Sequence, residues 1–282
     1  MQTLRIGLAQ TRQTGDFEQN AAAILRHLEL AGEQGVQILC FPETQTVGYR
    51  VDIAETDPPC PVEKLERLHG QVARRCGELN MACILGTELP SPGGGKPYNS
   101  ALVIDERGTM LGAHHKTKLT PLDALAYSPG ETIETFTLHG ECVGVVICFE
   151  GFRFAETTAE CVRQGATLVF HPQNNTTRPN DWKVPVHHAM IVTRAAENTI
   201  WFASTNACLE PHQNCRSMIV APDGRITAQA VLRREQLVVA DIDLDRATRA
   251  MFNYNLADCA PMLFADTVRR EEFASILPDG GD

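Results

Sequence analysis

The chain alternates between two hydrophobic periods. Leu4 to Gln10 (LRIGLAQ) reads as a strand, and Phe17 to Ala31 then places apolar residues at helical spacing, closing near Gly35. Val36 to Phe41 (VQILCF) is an apolar run of strand length. Val62 to Leu79 carries Leu65, Leu68, Val72 and Leu79 on or near one face, which predicts a second amphipathic helix. Met81 to Leu89 predicts a third strand. Ser91 to Pro97 (SPGGGKP) is a long turn rather than a domain boundary, because strand patterns flank it closely. Asn99 to Asp105 and Thr109 to His115 are two such strands, joined through Arg107 and Gly108.

The second half repeats the mixture. Thr132 to Leu138 and Cys142 to Cys148 read as strands, Phe154 to Gln164 as a helix and Ala166 to Pro172 as a strand. A helix over His187 to Glu197 and a strand over Ile200 to Asn206 follow. Ser217 to Pro222, Gly224 to Leu232 and Gln236 to Asp243 form a hairpin-rich end, with Asp223 in its first turn. Helices and strands alternate in two waves, each closed by antiparallel hairpins. That predicts an α/β fold of two mixed β-sheets with helices outside them, rather than one parallel sheet. From Arg246 to Asp282 the chain is polar, without a clear period, and interspersed with Phe252, Tyr254, Met262, Leu263 and Phe264. A segment with those anchors is expected to lie over another surface.

The totals narrow the choices. The 282 residues fit one large α/β domain or two small ones, and 43% hydrophobic content is ample for a core. A net charge of −10 argues against a sequence-independent nucleic-acid binder, which needs a basic face to displace counterions. No apolar run approaches the roughly 18 to 20 residues that span a bilayer, and the N-terminus reads as a strand rather than an export signal. The ten cysteines are irregularly spaced, and Cys40, Cys83 and Cys148 lie inside apolar runs, where reduced thiols pack as hydrophobes. A reduced, cytoplasmic compartment is the simpler expectation. The pairs His114–His115 and His187–His188 lack the partners of a helix-borne metal site, so no metal is expected.

Candidate chemistry gathers at strand ends. Cys148 closes the run VGVVIC and is followed by FEGFRFAET, which can open a helix. A thiol at the carboxyl end of a buried strand is where an open sheet presents reactive groups to a crevice. A helix beginning just beyond it would aim backbone N–H groups at the sulfur and lower its pKa. A lone cysteine there is more often a small hydrophobe. Glu43, however, follows the second strand directly after Pro42, and Lys116 follows the strand that begins near Met110. Glu43 could cap a turn and Lys116 could be a rim charge beside Lys118. Together the three supply a nucleophile, a carboxylate and a cation.

The chain resembles the nitrilase, or carbon–nitrogen hydrolase, superfamily over nearly its whole length. The resemblance rests on RIGLAQ, FPE with Glu43, HKTKL with Lys116, ICFEGFRFAE with Cys148, RAAEN from Arg194 to Asn198, SMIVAPDG from Ser217 to Gly224, and the closing VVADIDLD. It implies a four-layer αββα sandwich, residues 1–282 forming a single domain, with the tail of about 246–282 used in contacts of a homodimer or higher homo-oligomer. It also implies a thiol hydrolase that acts on a small amide or N-carbamoyl (ureido) compound through a cysteine thioester, without a cofactor. Conversion of a nitrile to an acid is the alternative within the enzyme class, and a non-catalytic binding or regulatory relative the alternative outside it. On this resemblance Cys148 is the nucleophile, Glu43 the general base and acid, and Lys116 the cation at the oxyanion, with the backbone N–H of Phe149 as second donor.

The sequence also departs from that pattern. Many members carry a second glutamate where this chain has Asp123, six residues before Pro129; Asp123 is either a supporting site residue or the N-cap of a turn over Ala124 to Tyr127. Arg153 stands five rather than four residues after Cys148, and Ala155 replaces a proline, as if one residue were inserted beside the thiol. Glu150 fits an acceptor for backbone N–H groups better than a proton shuttle. Asn174, Asn175 and Trp182 are candidates for the rim of a substrate pocket and Arg178 for a substrate carboxylate, each with a turn or packing role as its alternative.

Overall fold

The computed structural model describes residues 3–50, 60–176 and 182–250. Its first half runs β1 (Thr3–Gln10), α1 (Phe17–Glu33), β2 (Ile38–Cys40), α2 (Val62–Leu79), β3 (Ala82–Leu89), β4 (Tyr98–Ile104), β5 (Met110–His115) and the single turn α3 (Asp123–Ala126). The second half runs β6 (Thr135–Leu138), β7 (Glu141–Val145), α4 (Phe149–Arg153), α5 (Ala155–Arg163), β8 (Leu168–Gln173), α6 (Lys183–Asn198), β9 (Trp201–Asn206), β10 (Met218–Val220), β11 (Ile226–Gln229) and β12 (Gln236–Asp243). The strands form two six-stranded sheets, ordered β12-β1-β2-β3-β4-β5 and β11-β10-β9-β8-β7-β6. Each sheet has three parallel strands at its centre, β1–β2–β3 in one and β7–β8–β9 in the other, with antiparallel strands outside them.

Alternation along the strands builds the layers. Leu4, Ile6 and Leu8 of β1 point into the space between the sheets, where they meet Val143 and Val145 of β7, Leu168 and Phe170 of β8, and Trp201 of β9. The other face of the first sheet, with Leu39, Cys83 and Leu85, packs on Ile24 and Leu28 of α1 and Leu68 and Val72 of α2. The other face of the second, with Val169 and Phe202, packs on Val162 of α5 and on Ile191 and Ala195 of α6. The result is a four-layer αββα sandwich. Each Leu, Ile or Phe fully withdrawn from water contributes about 1.5–3 kcal/mol, so three apolar layers hold the sheets in one relative position.

Strand direction decides where the chemistry can gather. The hairpins β3–β4 and β4–β5 are both antiparallel, so β5 runs the same way as β2 and β3. The carboxyl ends of β2 and β5 therefore share one edge of the first sheet, as those of β7 and β8 share one edge of the second.

Several expected boundaries shift. The helix expected over Phe154 to Gln164 is α5, and a separate short helix, α4, precedes it, the two parted where Phe154 takes an extended backbone (φ −125°, ψ 91°). The strand expected to reach Cys148 ends at Val145, although Val146 N and Cys148 N still bond Phe170 O at 3.0 Å and Pro172 O at 2.9 Å. The intervening Ile147 N turns instead to the Glu150 carboxylate at 2.6 Å. Helix α6 starts at Lys183 rather than His187, with Pro185 in its first turn, where a missing N–H costs nothing. Arg178 and the tail anchors Phe252, Tyr254, Met262, Leu263 and Phe264 lie outside the described residues.

Candidate active site

Glu43 stands three residues beyond β2, Lys116 directly after β5, and Cys148 three residues beyond β7. The two sheets bring them together. The segment carrying Glu43 crosses β3 at Gly86, where an added Cβ would come within 1.8 Å of Pro42 O and 2.7 Å of Thr44 N, so only glycine lets the backbones approach.

The Glu43 carboxylate is closed to solvent and fully engaged. Its Oε1 accepts from Lys116 Nζ at 2.6 Å and Asn99 Nδ2 at 2.7 Å, and its Oε2 accepts from the backbone N of Asn174 at 2.8 Å. It also stands near enough to the Cys148 thiol to raise its pKa. Lys116 gives a second N–H to Asp123 Oδ2 at 2.8 Å. Asp123 accepts further from Thr120 N at 2.9 Å and from the Tyr49 hydroxyl. An ammonium has three N–H donors. Two are committed to carboxylates, which leaves one for an incoming oxygen.

Charge is distributed accordingly. Burial pushes the Glu43 carboxyl above the ordinary carboxylate range, against the pull of the Lys116 ammonium. Burial works to lower the pKa of Lys116, but Glu43, Cys148 and Asp123 outweigh it and hold the amine above its usual value. Asp123 is desolvated too, yet Lys116 and Tyr49 keep it below the usual range. The thiol of Cys148 is raised well above the ordinary range, first by burial and then by Glu43, with Lys116 pulling the other way. This corrects the expectation of a thiol acidified by the helix behind it. Helix α4 has only five residues, and Cys148 is 8% exposed and next to a carboxylate. The arrangement thus pairs a protonated thiol with a carboxylate able to take its proton.

Glu150 is the acceptor that the sequence suggests. Its Oε1 accepts from Thr117 N and Thr117 Oγ1, both at 2.6 Å, and its Oε2 accepts from Ile147 N at 2.6 Å and His114 Nε2 at 2.8 Å. It therefore ties the segment just after Lys116 to the segment just before Cys148. Burial works to raise its pKa, but His114 and these hydrogen bonds hold it at about 2.

The remaining candidates separate. Phe149 is the first residue of α4, and its N–H is among those a helix leaves without an intrahelical partner. Asn174 meets Glu43 through its backbone, while its side chain bonds Gln13. Asn175 Nδ2 reaches Cys148 Sγ at 3.5 Å. Trp182 does not join the set: it is 60% exposed and lies against the Arg153 guanidinium, 5.3 Å from the ring centre. Tyr49 and Asn99 belong to the constellation and were not singled out from the sequence; a tyrosine six residues beyond Glu43 was the one available signal. A cavity of about 150 Å³ bordered by Gln13, Thr14, Tyr49 and Asn174 adjoins the set. A larger one, about 430 Å³, lies between α6 and β10–β11 and includes none of these residues.

The sequence model of the carbon–nitrogen hydrolase family matches residues 5–251. The chain belongs to the carbon–nitrogen hydrolase family. This carbon–nitrogen hydrolase is 29% identical to the omega-amidase NIT2 of Xenopus tropicalis over 261 residues, covering 87% of this chain and 90% of that protein. It is also 29% identical to an (R)-stereoselective amidase of a Pseudomonas species over 261 residues, covering 89% of each. Among solved structures, an amidase from a Nesterenkonia species superposes with a TM-score of 0.74 at 25% identity, covering 90% of this chain and 96% of that one. Saccharomyces cerevisiae Nit3, at 23% identity and a TM-score of 0.73, shares the fold, covering 90% of this chain and 95% of that one. Among the described residues of the carbon–nitrogen hydrolase, no helix is long and apolar enough to cross a membrane.

Proposed function

We propose that the protein hydrolyses a small carboxamide or N-carbamoyl compound at Cys148, with Glu43 as the proton carrier and Lys116 as the oxyanion partner. The observation that carries this reading is Glu43, one carboxylate that bonds the Lys116 ammonium at 2.6 Å and stands close enough to the Cys148 thiol to raise its pKa. Glu43 takes the thiol proton as sulfur attacks the carbonyl carbon. The oxygen that gains charge meets the uncommitted N–H of Lys116 and the N–H of Phe149. Glu43 then protonates the leaving nitrogen, the C–N bond breaks, and ammonia or an amine departs from a thioester. Water, losing a proton to Glu43, attacks that thioester; the acid leaves and the thiol regains its proton. Asp123 and Tyr49 hold Lys116 in place, and Asn174 holds Glu43.

The similarity to omega-amidase NIT2 and to the (R)-stereoselective amidase favours an amide over a nitrile. Ammonia release across a panel of carboxamides, ureido acids and nitriles, with a Cys148→Ala control, tests the reading. Release from amides or ureido acids that vanishes in the variant supports it. Turnover of nitriles alone replaces the substrate class, and turnover by the variant removes the mechanism.

Residues 1–282 act, on this reading, as one domain, and the tail from Arg246 onward contributes to a homodimer or larger assembly. Five apolar side chains within thirteen positions make an unusual patch if left in water. Light scattering of the full chain and of a chain cut before Arg246 tests this, and an active monomer at micromolar concentration would contradict it. The unpaired thiols of all described cysteines favour a reducing, cytoplasmic setting.

A further inference from the structure

Cys148 sits on strained backbone, with φ 48° and ψ −105°, a region that non-glycine residues avoid. Such strain persists only when the surroundings fix it. Its N–H is held by Pro172 O at 2.9 Å, and its carbonyl accepts from Phe152 N at 3.2 Å and from His171 Nε2 at 2.8 Å.

The last of these bonds begins a closed circuit. A carbonyl oxygen only accepts, so His171 carries its proton on Nε2 and its Nδ1 must accept. The donor is Ser204 Oγ, 2.9 Å away, which itself accepts from Gln173 Nε2 at 2.6 Å. Gln173 Oε1 accepts from Asn175 Nδ2 at 2.7 Å, and the other hydrogen of that amide points to Cys148 Sγ at 3.5 Å. The circuit thus starts at the carbonyl of Cys148 and ends at its sulfur. The imidazole is fully buried against Phe152 and Phe202. It reaches the carbonyl only because residue 151 is glycine, where a Cβ would lie 2.7 Å from Nε2. Burial lowers its pKa to about 4, so the neutral form persists at working pH.

We infer that His171 is a positioning residue for the nucleophile: its Nε2–H fixes the strained carbonyl of Cys148, and Ser204, Gln173 and Asn175 carry that constraint back to the sulfur. The inference rests on Cys148 being the nucleophile. Misplacing a reacting atom by about 1 Å costs roughly a hundredfold in rate. Loss of the circuit should therefore lower kcat and the intrinsic reactivity of the thiol while leaving KM nearly unchanged.

The test measures kcat, KM and the rate of iodoacetamide alkylation at Cys148, the last by peptide mapping, in folded H171F, H171Q and S204A. H171F keeps a ring but no donor, and should lose at least about tenfold in kcat and in alkylation with KM within about twofold. H171Q keeps an amide N–H within reach of the carbonyl and should recover to within about threefold of the natural chain. S204A leaves the first bond and cuts the circuit, so it should slow alkylation several-fold and serves where H171F does not fold. Natural alkylation and kcat in H171F, or in S204A where H171F does not fold, would overturn the inference. So would equal damage in H171F and H171Q, which would assign His171 to packing alone. Alkylation needs no turnover, so a fully active Cys148→Ala would sink the thiol mechanism without being confused with failure of the circuit.

Discussion

Lys116 Nζ stands 2.6 Å from Glu43 Oε1, although 73 positions separate the two residues and both side chains are closed to solvent. A buried charge is tolerated only when paired and hydrogen-bonded. Here Asp123 and Asn99 complete the pairing, which leaves one lysine N–H and the raised Glu43 carboxyl available for chemistry. Removing one partner of such a pair typically costs about 3–5 kcal/mol, so rate and stability are coupled in this cluster.

Glu43→Gln keeps the shape of the side chain but cannot accept a proton. The rate should fall at least about a hundredfold, within the range a general base supplies. In the natural enzyme the acid limb of kcat/KM should lie above the ordinary carboxylate range of about 4, because burial raises Glu43 and only its ionised form is the base. Near-normal turnover in the variant would move the role of base to another group, with Asp123 the first to examine.

Lys116→Ala should reduce acylation at least about a hundredfold while altering substrate binding far less, as expected for a group that meets charge only in the transition state. Lys116 also pulls the Glu43 pKa downward, so its loss should shift the acid limb to higher pH. A pH series of kcat and KM measures both effects. A weakened KM with an unchanged kcat would recast Lys116 as a substrate anchor.

Glu150→Gln should change the acid stability of the protein. The unfolded carboxyl takes a proton near its ordinary value of 4.5, whereas the folded one resists until about 2. Between those limits the unfolded state binds more protons, so stability falls as pH falls through that window. Above it the natural carboxylate contributes about 3 kcal/mol. Urea unfolding from pH 7 downward should show a flatter pH dependence for the variant below pH 4.5, and lower stability at neutral pH. An unchanged slope would mean that Glu150 is not the clamp between the Lys116 and Cys148 segments.

The parts of this site that the sequence announces are those whose cause is local. Glu43, Lys116 and Cys148 follow strands whose hydrophobic runs are visible within a few residues, and the two waves of helices and strands show in the same way. Asp123 carried two readings in the sequence, and Lys116 at 2.8 Å favours a site role over an N-cap. Tyr49, Asn99 and His171 are not legible in the sequence because their roles depend on partners 74, 56 and 23 positions away. The thiol pKa is illegible in the sequence for a related reason: a local helix argues for acidity, whereas burial and the distant Glu43 raise it. Trp182, a candidate for the pocket rim in the sequence, has the exposed Arg153 as its partner instead.

The central claim is that Cys148 forms a covalent acyl intermediate. Rapid quench of the enzyme with a turned-over amide, followed by intact mass and peptide mapping, tests it most directly. An added acyl mass on Cys148 should appear before product accumulates, and a folded Cys148→Ala variant should show neither adduct nor ammonia release. Full turnover by that folded variant would show that Cys148 is not the nucleophile.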